Sequence, residues 1–197
     1  MSAAVEELQR VGLKVFAVDG AALRPRELVP VFHRWIQQRA LSDQLLIDVA
    51  DYEHVPEGPG VMLVAHGGNF SLDLGDGRMG LVYTRKEPSP GTLIDRLRAV
   101  VRTTLAACSL LEGDAALAGR LRFRGDELYL FANDRLRAPN TPATASALRS
   151  AVDDLVGRLY AGARCVVTPE PDPRERPGFH VKAPAGVDIG ELAARLG

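Results

Sequence analysis

Leu45 to Lys86 reads LLIDVADYEHVPEGPGVMLVAHGGNFSLDLGDGRMGLVYTRK, and its punctuation decides the fold class. Apolar runs are interrupted by Pro56, Gly58, Pro59 and Gly60, then by Gly67, Gly68 and Asn69, then by Gly75, Asp76 and Gly77. Short apolar runs bounded by Gly, Pro, Asn and Asp are the pattern of strands and tight turns. Leu45, Ile47 and Val49 alternate with Leu46, Asp48 and Ala50, predicting a strand over 44–52. Val61 to Ala65 is apolar throughout, as a central strand is. Phe70, Leu72 and Leu74 alternate with Ser71 and Asp73, and Met79 to Thr84 returns after the Gly75-Asp76-Gly77 turn. The stretch is therefore expected to form an antiparallel meander of about four strands.

Outward from it, Leu13 to Val18 predicts a strand ending at Asp19-Gly20. Leu28, Val31, Phe32, Trp35 and Ile36 fall on one helical face behind Pro25 and Glu27. Thr92 and Asp95 form a capping box for a long helix along Leu93, Leu97, Val100, Val101, Thr104, Cys108 and Leu111. Leu121 and Phe123 flank Gly125-Asp126 with Leu128 and Leu130, predicting a second hairpin. Thr141-Pro142 opens a second long helix through Leu148, Val152, Leu155 and Leu159. Strands over 165–168 and 179–182 and a short helix capped by Asp188 and Glu191 complete the chain.

The fold class is thus α+β: a mostly antiparallel sheet carrying two long amphipathic helices on one face, in a single domain over 1–197. An internal strand-turn-strand-helix repeat, with halves about 61–112 and 119–162, is one reading of the matched hairpin, proline and helix order. Two unrelated helices in one domain is the other.

The chain has 197 residues with a net charge of −1, so its overall field does not draw it to nucleic acid or to an anionic membrane. Aromatic residues make up 6% and none interleaves with arginines as a base-stacking platform. No run reaches the ~18 apolar residues of a membrane span, and MSAAVEELQR lacks the basic and apolar regions of a secretory signal. A cytoplasmic location is the expectation. Cys108 and Cys165 read as small buried hydrophobes rather than as a thiolate metal site.

Three groups of residues could carry chemistry. His66 ends an apolar strand beside two glycines, where a general base could stand, with Asp73 to orient it and Asn69 nearby. The alternative is a histidine that only caps the strand end. His66-Gly67-Gly68 is similar to the oxyanion loop of esterases, which needs a serine elbow that this chain lacks. His54, His66 and Asp48 or Asp51 could hold a metal, but the histidines lack short ligand spacing, and no metal is expected. The second group is basic: Arg85, Lys86, Arg120, Arg122, Arg124, Arg135 and Arg137. Arg120, Arg122 and Arg124 alternate with Leu121 and Phe123, as on one face of one strand, and require an anionic ligand or carboxylates of the same chain. Asn133-Asp134 at a strand end is either a ligand position or a turn.

Without a P-loop, dinucleotide fingerprint, nucleophile elbow or zincin motif, no cofactor is expected. Two functions follow as expectations: a non-catalytic binding or assembly protein that accepts an anionic small ligand or a protein partner in a cleft or on an exposed sheet face, or an acid–base or hydrolytic enzyme centred on His66 and Asp73.

Overall fold

The computed structural model describes residues 3–19, 23–55 and 58–196. Gly20 and Pro56, two of the expected breakers, lie outside them. The strands are β1 (Val11–Ala17), β2 (Leu46–Asp51), β3 (Val61–Ala65), β4 (Gly68–Asp73), β5 (Gly80–Arg85), β6 (Phe123–Ala132), β7 (Val166–Pro169) and β8 (Gly178–Lys182). They form one eight-stranded sheet in the order β2-β3-β4-β5-β1-β6-β8-β7, and every neighbouring pair is antiparallel. The helices are α1 (Ala3–Glu6), α2 (Val29–Gln38), α3 (Leu93–Gly113), α4 (Pro142–Leu159) and α5 (Ile189–Ala194). The fold is α+β.

The meander β2–β5 forms where the turn residues place it, but on β2 the alternation misleads: Leu46 is buried while Leu45 and Ile47 are exposed, and the pairing is irregular between Leu46 and Asp48. β1 then pairs with the last meander strand on one side and with β6 on the other, so the first strand in sequence is central in space. At α3 the capping box is complete: Thr92 Oγ1 accepts from the Asp95 N–H, and Asp95 Oδ2 accepts from the Thr92 N–H at 3.0 Å. Thr141 caps α4 with Pro142 in its first turn. Asp188 caps α5 by accepting from Gly190 and Glu191. The reciprocal bond expected there is absent, because the Glu191 carboxylate accepts from Arg195 at 2.6 Å instead.

The second hairpin does not exist. Gly125 and Asp126 lie inside β6, which runs unbroken from Phe123 to Ala132. Gly125 is there because a Cβ at that position would sit 1.7 Å from the Val187 carbonyl oxygen, so the glycine marks a close backbone approach and not a turn. The proposed repeat unit after residue 119 therefore has one strand before its helix, not a strand-turn-strand.

All five helices place their buried apolar residues in one cluster with one face of the sheet. α3 lies against β1 and β5, α5 against α3 and β6, α2 against β2, and α4 against α3 and α1. From β1 that cluster takes Val11, Leu13, Val15 and Ala17, but not Gly12, Lys14 or Phe16. The alternate residues of each strand therefore form a second face, with no helix of the described residues packed on it. Among the described residues, no helix is long and apolar enough to cross a membrane.

Leu97 on α3 and Leu155 on α4 are both almost fully buried. Leu97→Ala or Leu155→Ala is expected to cost about 2–5 kcal/mol, measured by denaturant unfolding. A loss below about 0.5 kcal/mol at both would place these faces outside the core.

Candidate functional site: the uncovered sheet face

Strand register brings the second face together in rows. One row crosses the sheet as Val64, Asn69, Thr84, Gly12, Phe131 and Gly178. The next runs Met62, Ser71, Val82, Lys14, Tyr129 and His180. Asp73, Gly80 and Phe16 begin a third. Gly12, Lys14, Phe16 and Phe131 are buried although nothing helical covers them. Side chains lying flat on the sheet do the covering. The Phe131 ring rests on Gly12, where a Cβ would meet it at 2.3 Å. The Lys14 stem crosses Gly80, where a Cβ would meet Cε at 2.8 Å, and Nζ reaches the Asp73 carboxylate on the next strand. The Arg78 guanidinium stacks on the Phe16 ring at 4.1 Å, and Arg176 stacks on Phe131 at 4.1 Å.

Aromatic rings continue toward the β7 edge. Tyr129 stacks with Phe131 at 5.6 Å and with His180 at 4.5 Å between centroids. His180 Nε2 lies 3.1 Å from Glu170 Oε2, a histidine–carboxylate pair that the sequence did not single out. On the β3–β5 side the face is different. Met62, Val64 and Val82 are half-buried there, set among Asn69, Ser71 and Thr84. Lys14 was legible in principle: it is one of three lysines in the chain and interrupts an otherwise apolar strand.

The histidine constellation does not assemble. His66 is exposed just past β3, and its backbone N–H donates to the Leu45 carbonyl at 2.8 Å. Asp73 is at the other end of the hairpin, since Val64 pairs with Asn69 and Met62 with Ser71. Six residues of strand put His66 and Asp73 roughly 20 Å apart. Asp51 pairs with Val61, also at the far end, and its carboxylate accepts from the Glu53 N–H at 3.0 Å and from Arg26 Nε at 3.3 Å. The Glu53 bond, then the Arg26 charge, hold the Asp51 carboxyl below the usual range. Asn69 Oδ1 accepts from Lys86 Nζ at 3.3 Å. His54 stands in an exposed turn, and no three metal-ligating side chains cluster among the described residues.

Four of the seven basic residues meet carboxylates of the same chain. Arg120 meets Glu27 at 2.8 Å, Arg122 lies 3.8 Å from Glu112, and Arg124 meets Asp126 at 2.9 Å. The expected single strand face for these three is corrected: Arg120 and Arg122 precede β6 and only Arg124 is in it. Arg85 Nε donates to the Glu87 carbonyl at 3.0 Å, and Arg137 lies 3.9 Å from Asp134. Arg135 and Asn133 are exposed. Asn133-Asp134 leads into a turn over 135–137, with Asp134 accepting from the Arg137 N–H at 3.2 Å through its side chain and from the Ala138 N–H at 2.9 Å through its carbonyl. Arg78 grips Glu127 with two bonds of 2.8 Å, which holds the Glu127 carboxyl low; Arg124 does the same to Asp126.

Both edges of the sheet carry groups that hinder strand addition. On β2 the outward-pointing Val49 N–H donates to its neighbour's Asp48 carboxylate at 2.7 Å, and the pairing is irregular between Leu46 and Asp48. On β7 the Val167 carbonyl accepts from Arg149 Nη1 at 3.3 Å, and Pro169 has no N–H to offer. No protein-family model, curated protein or solved structure matches the chain.

The Lys14–Asp73 pair predicts an asymmetry. Asp73→Ala leaves a buried ammonium without its carboxylate and is expected to cost about 2–4 kcal/mol, whereas Lys14→Met keeps the stem over Gly80 and should cost under about 1 kcal/mol. Equal costs in denaturant melts would contradict this. Glu127 and Asp126 predict the pH dependence. Both are depressed in the fold, so their stabilisation is present above the unfolded carboxylate range near pH ~4 and is lost as pH falls through the folded values. Glu127→Gln should lower stability at neutral pH and flatten its decline between about pH 5 and 2. An unchanged acid limb would show that the Arg78 pair contributes nothing to it.

Proposed function

We propose that this protein is a non-catalytic binding or assembly protein, and that its uncovered sheet face receives a protein partner. One observation carries the reading: helices cover one face of an eight-stranded sheet, while the other exposes half-buried Met62, Val64 and Val82 interleaved with Asn69, Ser71 and Thr84. Half-buried aliphatic side chains interleaved with hydrogen-bonding groups have the mixed composition of a non-obligate protein interface. An anionic small ligand has less to bind, because most of the candidate cations already contact carboxylates or carbonyls. The same neutralisation argues against nucleic acid, whose binding rests on unpaired Lys and Arg. Two unpaired cysteines suit a reducing cytoplasm.

The test compares capture by the wild-type chain with capture by Met62→Glu and Thr84→Arg, after circular dichroism and melting establish that both fold. The reading expects these two to lose at least about tenfold in affinity for the retained partner, with no loss for Leu136→Glu in the exposed α4-side loop. A partner held equally by all four chains would sink the reading.

A further inference from the structure

Independently of the uncovered face, we infer that a second site, where α2 ends and the chain turns into β2, binds a free α-amino acid with an apolar side chain.

A depression of about 570 Å³ lies there, within the size range of small-molecule sites. Its apolar lining includes Ile36, near the end of α2, and the buried Leu41 and Leu46. Arg39, Ser42, Asp43 and Gln44 line the same depression. Two of these polar side chains are held by buried hydroxyls. Thr103 on α3 donates to Asp43 Oδ2, and Tyr83 on β5 donates to Gln44 Oε1 at 3.2 Å. Burial pushes the Tyr83 hydroxyl up to about 12, so it keeps the proton that it donates. The backbone is fixed at the same place: the Gln44 N–H donates to the Leu41 carbonyl at 3.1 Å. Arg39 ends α2 in the left-handed conformation, with φ 50°, and its N–H donates to the Ile36 and Trp35 carbonyls.

The two charges of the depression are positioned without being neutralised. A hydroxyl on one oxygen of Asp43 leaves its charge in place. Among the described residues neither Asp43 nor Arg39 makes an ion pair, with each other or with a third group. They are four residues apart, so their Cα atoms are separated by at most about 14 Å. An unanswered carboxylate and an unanswered guanidinium beside an apolar wall are matched by a ligand with both charges next to an apolar group. The ligand's ammonium meets Asp43. Its carboxylate meets Arg39, whose planar fork accepts it through two parallel bonds. With Oε1 taken by Tyr83, the Gln44 amide offers its N–H groups to the same carboxylate. The aliphatic side chain lies against Ile36, Leu41 and Leu46. A ligand with one charge leaves the other side chain unanswered, and one without an apolar group leaves the leucines wet.

The experiment is an NMR titration of the full chain, labelled with nitrogen-15, with L-leucine. Amide shifts within residues 36–46 are expected to saturate with a Kd of about 1 mM or tighter. N-acetyl-L-leucine lacks the ammonium and L-leucinamide the carboxylate; each should bind at least about tenfold more weakly, as should glycine, which lacks the side chain. Arg39→Gln and Asp43→Asn, the latter keeping an acceptor for Thr103, should each weaken leucine at least about tenfold with the melting temperature unchanged. Should either variant fail to fold, the ligand series on the wild-type chain decides alone. Shifts that do not saturate by about 10 mM leucine, or that centre outside residues 36–46, overturn the inference. So do acetylated and amidated forms that bind as well as leucine, or folded variants that bind it unchanged. None of these outcomes touches the uncovered face, whose reading stands or falls with Met62 and Thr84.

Discussion

The central strand has to be buried on both sides while only one side has helices to bury it. All seven residues of β1 are buried. Four of them enter the helical core in the ordinary way. The other three are sealed by side chains that lie down along the sheet. Lys14 can lie down because Gly80 has no Cβ in its path, and Phe131 because Gly12 has none. An ammonium that lies along a sheet instead of rising into water needs a carboxylate at the end of its reach, which is where Asp73 stands. The residue singled out as a catalytic orienter thus has a complete structural explanation in a lysine 59 positions away.

The parts of the fold legible in the sequence are those with local causes. The β2–β5 meander follows from turn residues and alternation, and α3 from a cap and an apolar stripe. Two things were not local. One is the insertion of β1 between β5 and β6, for which an apolar run names no partner. The other is Gly125, whose role depends on the backbone at Val187, more than sixty positions on. A glycine followed by an aspartate looks the same whether it turns the chain or lets another chain segment pass close by, and reading it as a turn created the apparent repeat.

The candidate site failed for a reason that the sequence did contain. His66 stands at the tight β3–β4 connection and Asp73 at the far end of β4, and in an antiparallel hairpin each residue further from the turn is also further from the residue at the turn. The more firmly β4 is read as a strand, the less Asp73 can reach His66. The alternation of arginines was read with the same logic and met a different limit. Alternation separates faces, but it does not supply the carboxylates, which arrive from Glu27, Glu112 and Asp126.

Those pairings shape what the molecule can recognise. A sheet face rich in unpaired cations selects for anions; here Lys14 is paired with Asp73 and Arg78 with Glu127, and Met62, Val64 and Val82 lie half-buried beside them. At the edges, Asp48 engages the Val49 N–H and Arg149 the Val167 carbonyl. Such edge devices matter in a sheet, since an unprotected edge invites open-ended growth. On the reading proposed above, recognition falls to a mixed surface in which Asn69 and Ser71 on β4 separate Met62 and Val64 from Val82, so that a partner has to match hydrogen-bonding and apolar groups together.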